Sequence, residues 1–140
     1  MTDTTNGVTG RSGWTIGLWA AQIVLALFYL YAGYNKLTQP IEALGAMGMG
    51  FALIVPELLT RFIGLVEVLG AIGLVLPAAT RIMPRLTPLA ALGLSTIQVL
   101  AMLLHASRGE FAVLPLNVVL LALSLFVLWG RERKAPIAAR

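Results

Sequence analysis

Apolar residues dominate four long stretches of the chain, at residues 14–34, 57–76, 87–105 and 111–129. Each stretch is close to the ~20 residues that an α-helix needs to cross ~30 Å of hydrocarbon. Shorter segments that contain proline, glycine or charged residues separate them. The pattern therefore predicts an all-α, polytopic membrane protein whose four transmembrane helices form a bundle.

A fifth apolar segment, residues 41–55, lies between the first and second predicted spans. It is too short to cross a membrane and too apolar to be surrounded by water. Pro40 precedes it, and Pro56 follows it at a position where the first turn of a helix tolerates a missing N–H. We predict a short interfacial or re-entrant segment that either fills space between two spans or covers a cavity.

The composition agrees with a membrane protein, because 59% of the 140 residues are hydrophobic and only 11% are charged. The mean hydropathy is +0.89. The first apolar run is full length and has no cleavage site after a short apolar core, so we expect it to be retained. We expect a disordered cytoplasmic tail at 1–12, a membrane domain at 13–131 and a basic cytoplasmic tail at 132–140.

Basic residues predict the orientation of the spans in the cell membrane. The N-terminal tail, the second loop and the C-terminal tail carry seven Lys and Arg residues, whereas the first and third loops carry three. Short loops rich in Lys and Arg stay on the cytoplasmic side, so both termini are predicted to be cytoplasmic. The net charge of +4 then reflects topology and contact with anionic membrane lipids, and no nucleic-acid partner is expected.

The residue inventory excludes several kinds of site. The chain has no cysteine, which excludes disulfides and thiolate metal sites. Its one histidine, with one glutamate deep in a span, falls short of the ligands that a zinc or di-iron site needs, so no metal is expected. A single histidine could ligate a haem, but nothing else in the sequence supports one.

Glu67 is the residue that most strongly indicates a functional site, because it lies inside the otherwise uncharged run 62–77 of the second span. A charged side chain at that depth costs roughly 2.5 to 10 kcal/mol. Its neighbours one helical turn away are Ile63, Gly64, Gly70 and Ala71, none of which can pair with a carboxylate. Either another span supplies a cation or a proton donor, or the carboxyl group is protonated.

Alternating topology places several other polar residues in the same, non-cytoplasmic leaflet as Glu67. Helical spacing aligns Tyr29 with Lys36 on the first span and Gln98 with His105 on the third, so these side chains are expected to face inward. We therefore predict one intramembrane site. Its catalytic candidates are Glu67 and His105, and its ligand-binding candidates are Lys36, Asn117, Gln98, Tyr29 and Arg61.

Five of these residues also have a purely structural interpretation. Gln98 and Asn117 are typical of hydrogen bonds between membrane helices. Lys36 could extend to the head groups, and His105 could cap its helix near the interface. Arg61 follows Glu57 by four residues, the spacing of an ordinary ion pair at the membrane edge.

Three local motifs resemble the DoxX family, in particular its DoxX-like branch, over about residues 26–131. They are Gly33-Tyr-Asn-Lys36-Leu37 at the end of the first span, Gly64-Leu-Val-Glu67-Val-Leu-Gly70-Ala-Ile-Gly73-Leu74 in the second, and a His ending the third before an Asn opening the fourth. The resemblance implies a four-helix membrane bundle with a shared site at Lys36, Glu67, His105 and Asn117. The family takes its name from a subunit associated with quinone-linked oxidation of sulfur compounds, but the resemblance does not imply thiosulfate oxidation.

Three functions remain open at this point. The protein could bind a lipophilic small molecule such as a quinone, as a subunit or partner of a redox system, with redox proteins or further copies of itself as partners. It could instead be an intramembrane acid/base enzyme, an isomerase or hydrolase acting on an epoxide or alkene through Glu67 and His105. The third alternative is a structural scaffold of a membrane complex.

Overall fold

A computed structural model describes the backbone of residues 4–140 and the side chains of residues 13–140. Its helices are α1 (Thr4–Thr38), α2 (Ile41–Ala46), α3 (Glu57–Thr80), α4 (Leu86–Ser107) and α5 (Leu114–Trp129). Short 3₁₀ turns occupy Gly50–Leu53 and Phe111–Val113, and a π-helical turn, Gly130–Lys134, extends α5. Residues 1–3 of the tail predicted to be disordered lie outside the described residues. Helix α1 is described from Thr4, and the disorder of residues 1–12 stays a prediction.

In the part of the chain that the structure describes, four helices are long and apolar enough to cross a membrane, at Gly13–Thr38, Glu57–Thr80, Leu86–Ser107 and Phe111–Lys134. The predicted all-α fold with four spans is confirmed. The last span extends five residues past the predicted end at residue 129, because the backbone stays helical through the charged run that follows. Arg131, one of the charges counted for the C-terminal tail, is therefore part of the bundle.

The four long helices form a closed antiparallel bundle in which α1 packs on α3, α3 on α4, α4 on α5 and α5 on α1. Its core includes Leu25, Tyr29, Leu74, Leu94 and Val127. Many large apolar side chains lie exposed on the outer faces of the same helices. Such a surface suits lipid rather than water, as expected of an integral membrane protein.

Neighbouring helices run in opposite directions, so the bundle has two distinct ends. The end of α1, the start of α3, the end of α4 and the start of α5 form what we name the Lys36 end. The α3–α4 loop, the turn Gly130–Lys134 and the residues after it form the Arg131 end.

Helices α1 and α3 pack backbone to backbone at Gly33 and Gly64. A Cβ atom on Gly33 would lie 2.7 Å from the carbonyl oxygen of Gly64, and one on Gly64 would lie 2.8 Å from that of Gly33. Side chains of α4, from Leu94 and Ala90, similarly cover Gly70 and Gly73. The small residues of α3 thus accommodate neighbouring helices, and the first crossing brings the end of α1 against the middle of α3.

The predicted segment between the first two spans is confirmed as a short helical element that does not cross the bundle. It consists of α2 and the turn Gly50–Leu53, and it buries Leu44 and Ala52. The Phe51 ring lies 5.9 Å from Lys36 Nζ, and a Cβ atom on Gly50 would lie 3.4 Å from Arg108 Nη2. The segment therefore connects the end of α1 with the α4–α5 loop at the Lys36 end.

Candidate functional site

A buried ion pair between α1 and α3 is the centre of the Lys36 end. Lys36 Nζ lies 2.8 Å from Glu67 Oε1 and 2.9 Å from Oε2, so the ammonium donates to both carboxylate oxygens. Lys36 is 7% exposed and Glu67 is 4% exposed. The expectation that another span supplies a partner for Glu67 is confirmed, and each charge offsets much of the other's desolvation cost.

Local structure explains why the pair forms here. Lys36 occupies the last turn of α1, where the helix dipole favours a cation. Glu67 follows Gly64 by three residues and so lies close to the tight glycine contact of the two helices. The glycine crossing and the ion pair therefore depend on the same interhelical distance.

Arg61 holds the C-terminal end of α1 in place. Its Nη1 atom donates to the carbonyl oxygens of Lys36 and Gln39, each at 2.7 Å. Its Nη2 atom lies 2.9 Å from Glu57 Oε1, which is the ion pair that the four-residue spacing indicated. Arg61 thus satisfies carbonyl groups that a helix end leaves without partners, and it fixes the backbone that carries Lys36.

A chain of neutral side chains links α1 to two further helices, α4 and α5, next to the ion pair. Asn117 Nδ2 on α5 donates to Gln98 Oε1 at 2.8 Å, and Gln98 Nε2 on α4 donates to the Tyr29 hydroxyl oxygen on α1, also at 2.8 Å. All three side chains are buried. The bonds run in one direction, so the Tyr29 hydroxyl accepts from Gln98, and Ser124 on α5 is a second hydrogen-bonding neighbour of the same hydroxyl.

His105 belongs to a separate cluster at the α4–α5 loop. Its Nδ1 atom lies 3.2 Å from Glu110 Oε1, and Arg108 Nε lies 3.1 Å from the same oxygen. Glu67 and His105, the two catalytic candidates, therefore have different partners. The seven candidate residues thus fall into four groups. These are the ion pair of Lys36 and Glu67, the neutral chain of Tyr29, Gln98 and Asn117, His105 in the loop cluster, and Arg61 at the end of α1.

The donor set at this end suits hydrogen bonding rather than metal binding. Within the described residues, no group of three or more His, Cys, Asp or Glu side chains could hold a metal ion. What the Lys36 end presents inside the bundle is an ammonium–carboxylate pair, a phenol and two amides, all on the long helices.

A family model described as "DoxX-like family" matches residues 20–127 of the chain. The chain belongs to the DoxX-like family. The matched region contains the ion pair, the neutral chain and the loop cluster, so the resemblance found in the sequence motifs is confirmed. No curated protein and no solved structure matches the chain. Arg131 lies beyond the end of the family match.

The sequence predictions missed a second buried polar cluster of this DoxX-like protein, at the Arg131 end. Arg131 Nε donates to Gln22 Oε1 at 2.7 Å, and Gln22 Nε2 donates to the carbonyl oxygen of Leu74. Arg131 was counted among the charges of the C-terminal tail, and this cluster was therefore not predicted. A signal was present nevertheless, since Gln22 is a polar residue on the inward face of the first span with no partner assigned to it.

Proposed function

We propose that this DoxX-like protein binds, within the membrane, a lipophilic small molecule whose head group carries acceptor oxygens, such as a quinone, as a subunit or partner of a redox system. The observation that carries the proposal is a pair of buried donors on one face of α1, the Lys36 ammonium and the Tyr29 hydroxyl. They are seven residues apart, which is two helical turns or about 10 Å along the axis.

The ion pair leaves Lys36 with unused donor capacity. An ammonium group has three N–H donors, and two of them point to the oxygens of Glu67. Among the described residues, the third N–H has no acceptor. Because Glu67 already balances the charge, a ligand at this position needs an acceptor oxygen and no negative charge, which describes a quinone carbonyl.

The neutral chain of Asn117, Gln98 and Tyr29 orients the second donor, the Tyr29 hydroxyl. Gln98 is held at both ends of its amide, by Asn117 and by Tyr29, so it fixes the phenol oxygen. An acceptor oxygen of a ligand would compete with Ser124 for the phenol proton. A donor oriented by its neighbours loses little entropy when a ligand arrives, which raises its contribution to affinity.

The surroundings of these donors suit an apolar ligand. The outer faces of the helices are apolar, so such a ligand can reach the bundle from the lipid phase. The Phe51 ring next to Lys36 offers an aromatic surface on which a flat head group can pack. Residues 41–55 would then act as a cover over the ligand at the Lys36 end.

The geometry favours binding over acid/base catalysis. An enzyme that used Glu67 as base and His105 as acid would need both groups on one substrate. Here Glu67 bonds to Lys36, whereas His105 contacts Glu110 in the loop. The two groups therefore do not form a shared acid/base pair in this arrangement.

The test is a titration of the purified protein in nanodiscs with a short-chain ubiquinone analogue. Tyr29→Phe removes one hydroxyl and preserves packing, so it should weaken binding about fivefold. Tyr31→Phe is the matched control, because Tyr31 is 63% exposed on the lipid-facing side. Absence of saturable binding to the wild-type protein, or equal effects of the two variants, would overturn the proposal.

A further inference from the structure

Arg131 is a buried cation without a buried anion. Its side chain is only 5% exposed, Nε donates to Gln22 Oε1 at 2.7 Å, and Nη1 donates to the carbonyl oxygen of Ala135 at 3.0 Å. Both acceptors are uncharged. Nη2 is buried and has no partner among the described residues. The guanidinium group therefore lacks both a counter-charge and one set of hydrogen bonds.

No carboxylate within the described residues compensates this charge. The ion pairs of the bundle join Lys36, Arg61, His105 and Arg108 to glutamates, and none includes Arg131. The adjacent Glu132 is exposed and forms no ion pair with it. Arginine stays charged even when buried, so the desolvation cost cannot be avoided by losing a proton. An anion from outside the chain would supply what is missing.

Two cavities flank the Arg131 side chain. The larger has a volume of about 520 Å³, and its lining includes Arg131, Arg81, Lys134 and Trp19. The smaller, of about 210 Å³, is lined by Arg131, Arg85 and Glu132 among others. The larger cavity thus combines three cations and no carboxylate, whereas the smaller contains one glutamate. Because three cations and no carboxylate line the larger cavity, we take the larger cavity as the candidate anion site.

All three tryptophans of the chain lie at this end of the bundle. The rings of Trp14 and Trp129 meet edge to face at 5.2 Å between centroids. Lys134 Nζ lies 5.3 Å from the centroid of Trp129, and the Arg131 guanidinium carbon lies 5.5 Å from that of Trp19. Tryptophan concentrates at the boundary between lipid and water, so the cavity opens at the level of the lipid head groups.

We propose that the larger cavity binds a phosphate group, with Arg131 as the central donor and Arg81 and Lys134 at the rim. The position among interfacial tryptophans identifies the head group of an anionic phospholipid as its source. Guanidinium groups bind phosphate oxygens through paired, charge-assisted hydrogen bonds, and basic pockets beside membrane helices bind anionic lipid head groups. This inference is independent of the ligand proposed for the Lys36 end.

The experiment measures the thermal stability of the purified, delipidated protein in phosphatidylcholine micelles while phosphatidylglycerol is added. We expect the melting temperature to rise with the added lipid and to saturate at a low mole fraction. Arg131→Gln should raise the half-saturating mole fraction about tenfold. Arg133→Gln is the matched control, since it removes the same charge from an exposed residue that lies outside both cavities.

A second variant separates binding from folding, because Arg131→Gln also removes the bond to Gln22. Arg81 is exposed and lines the larger cavity, so Arg81→Gln should weaken the lipid response with little effect on stability in phosphatidylcholine alone. Equal responses of Arg81→Gln and Arg133→Gln would indicate a general charge effect and would overturn the site. A wild-type protein that does not distinguish the two lipids would overturn it as well.

A parallel titration with inorganic phosphate identifies the source of the phosphate group. If phosphatidylglycerol saturates the response and inorganic phosphate leaves it unchanged, the lipid assignment stands. If inorganic phosphate produces the same saturable, Arg131-dependent rise, the phosphate site stands and the lipid assignment is overturned.

Discussion

The Lys36 end and the Arg131 end each bury a cation near the C-terminal end of a membrane-spanning helix, and they differ in what faces that cation. Lys36 meets the carboxylate of Glu67 at 2.8 and 2.9 Å. Arg131 meets only the neutral oxygens of Gln22 and Ala135, at 2.7 and 3.0 Å. A helix C-terminus favours a cation in both places, so the difference lies in the counter-charge.

From this difference we expect the two ends to favour different ligands. At the Lys36 end the charge is balanced within the chain, and what remains for a ligand is hydrogen bonding in an apolar setting. At the Arg131 end the positive charge of Arg131 has no counter-charge among the described residues. The first arrangement suits a neutral molecule with acceptor oxygens, and the second suits an anion.

The largest expected effect comes from removing one partner of the ion pair. Glu67→Leu leaves the Lys36 ammonium buried without a counter-charge, which should lower the free energy of unfolding by about 3–5 kcal/mol. Replacing both partners, as Lys36→Met with Glu67→Leu, should recover most of that loss. Reversible denaturation in detergent micelles measures both values.

Glu57→Leu on the same helix is the control, because its pair with Arg61 is exposed and should be worth less than about 1 kcal/mol. If Glu67→Leu lowered the free energy of unfolding no more than Glu57→Leu does, the buried ion pair would not be worth more than an exposed one. The two ends would then differ in interatomic distances and not in energy.

The next effect concerns the glycine crossing that holds the ion pair together. Gly33→Ala places a methyl group 2.7 Å from the Gly64 carbonyl oxygen, so α1 and α3 must separate. We expect a loss of about 1–3 kcal/mol and weaker quinone binding at the Lys36 end, with the lipid response at the Arg131 end unchanged. Thermal unfolding and the two titrations measure these effects.

Gly93→Ala is the matched control, because a Cβ atom there would meet nothing within 4 Å. It should be neutral or slightly stabilising, since alanine favours a helix by about 1 kcal/mol over glycine. Equal losses in the two variants would contradict a special role for the crossing.

A smaller effect is expected at the Arg131 end. Arg131→Met combined with Gln22→Met removes an unbalanced buried charge together with its neutral acceptor. In phosphatidylcholine the stabilisation from removing a buried charge should nearly cancel the loss of the Arg131–Gln22 hydrogen bond. The free energy of unfolding should therefore change by less than about 1 kcal/mol. A loss of unfolding free energy as large as that of Glu67→Leu would show that groups within the chain compensate the charge of Arg131. The contrast in counter-charge between the two ends would then be wrong.

Much of the fold and part of the site follow from the sequence. Span lengths predict the four helices because a bilayer fixes how many apolar residues a helix needs. The partner of Glu67 could also be anticipated. An isolated charge is costly in lipid, its own helix offers no partner, and alternating spans bring Lys36 to the same depth. These arguments depend on the membrane as a solvent and need no knowledge of side-chain conformations.

The remaining contacts depend on local geometry that helical periodicity does not describe. His105 meets Glu110 because the chain turns back at Gly109, whose φ of 72° lies in the left-handed region that favours glycine. Arg131 was counted as a charge that orients the chain. That count cannot reveal that the helix continues past Trp129 and that a long side chain returns to Gln22.

The smallest expected effect tests whether the neutral chain at the Lys36 end is energetically minor beside the ion pair. A double-mutant cycle of Asn117→Leu and Gln98→Leu should give a coupling energy of about 0.6 kcal/mol, typical of side-chain hydrogen bonds between membrane helices. Glu57→Gln combined with Asn117→Leu is the control cycle and should show no coupling, because those residues share no contact. A coupling near that of the Lys36–Glu67 pair would mean that neutral hydrogen bonds define this end as much as the charges do. The contrast with Arg131 would then be one of hydrogen-bond satisfaction rather than of counter-charge.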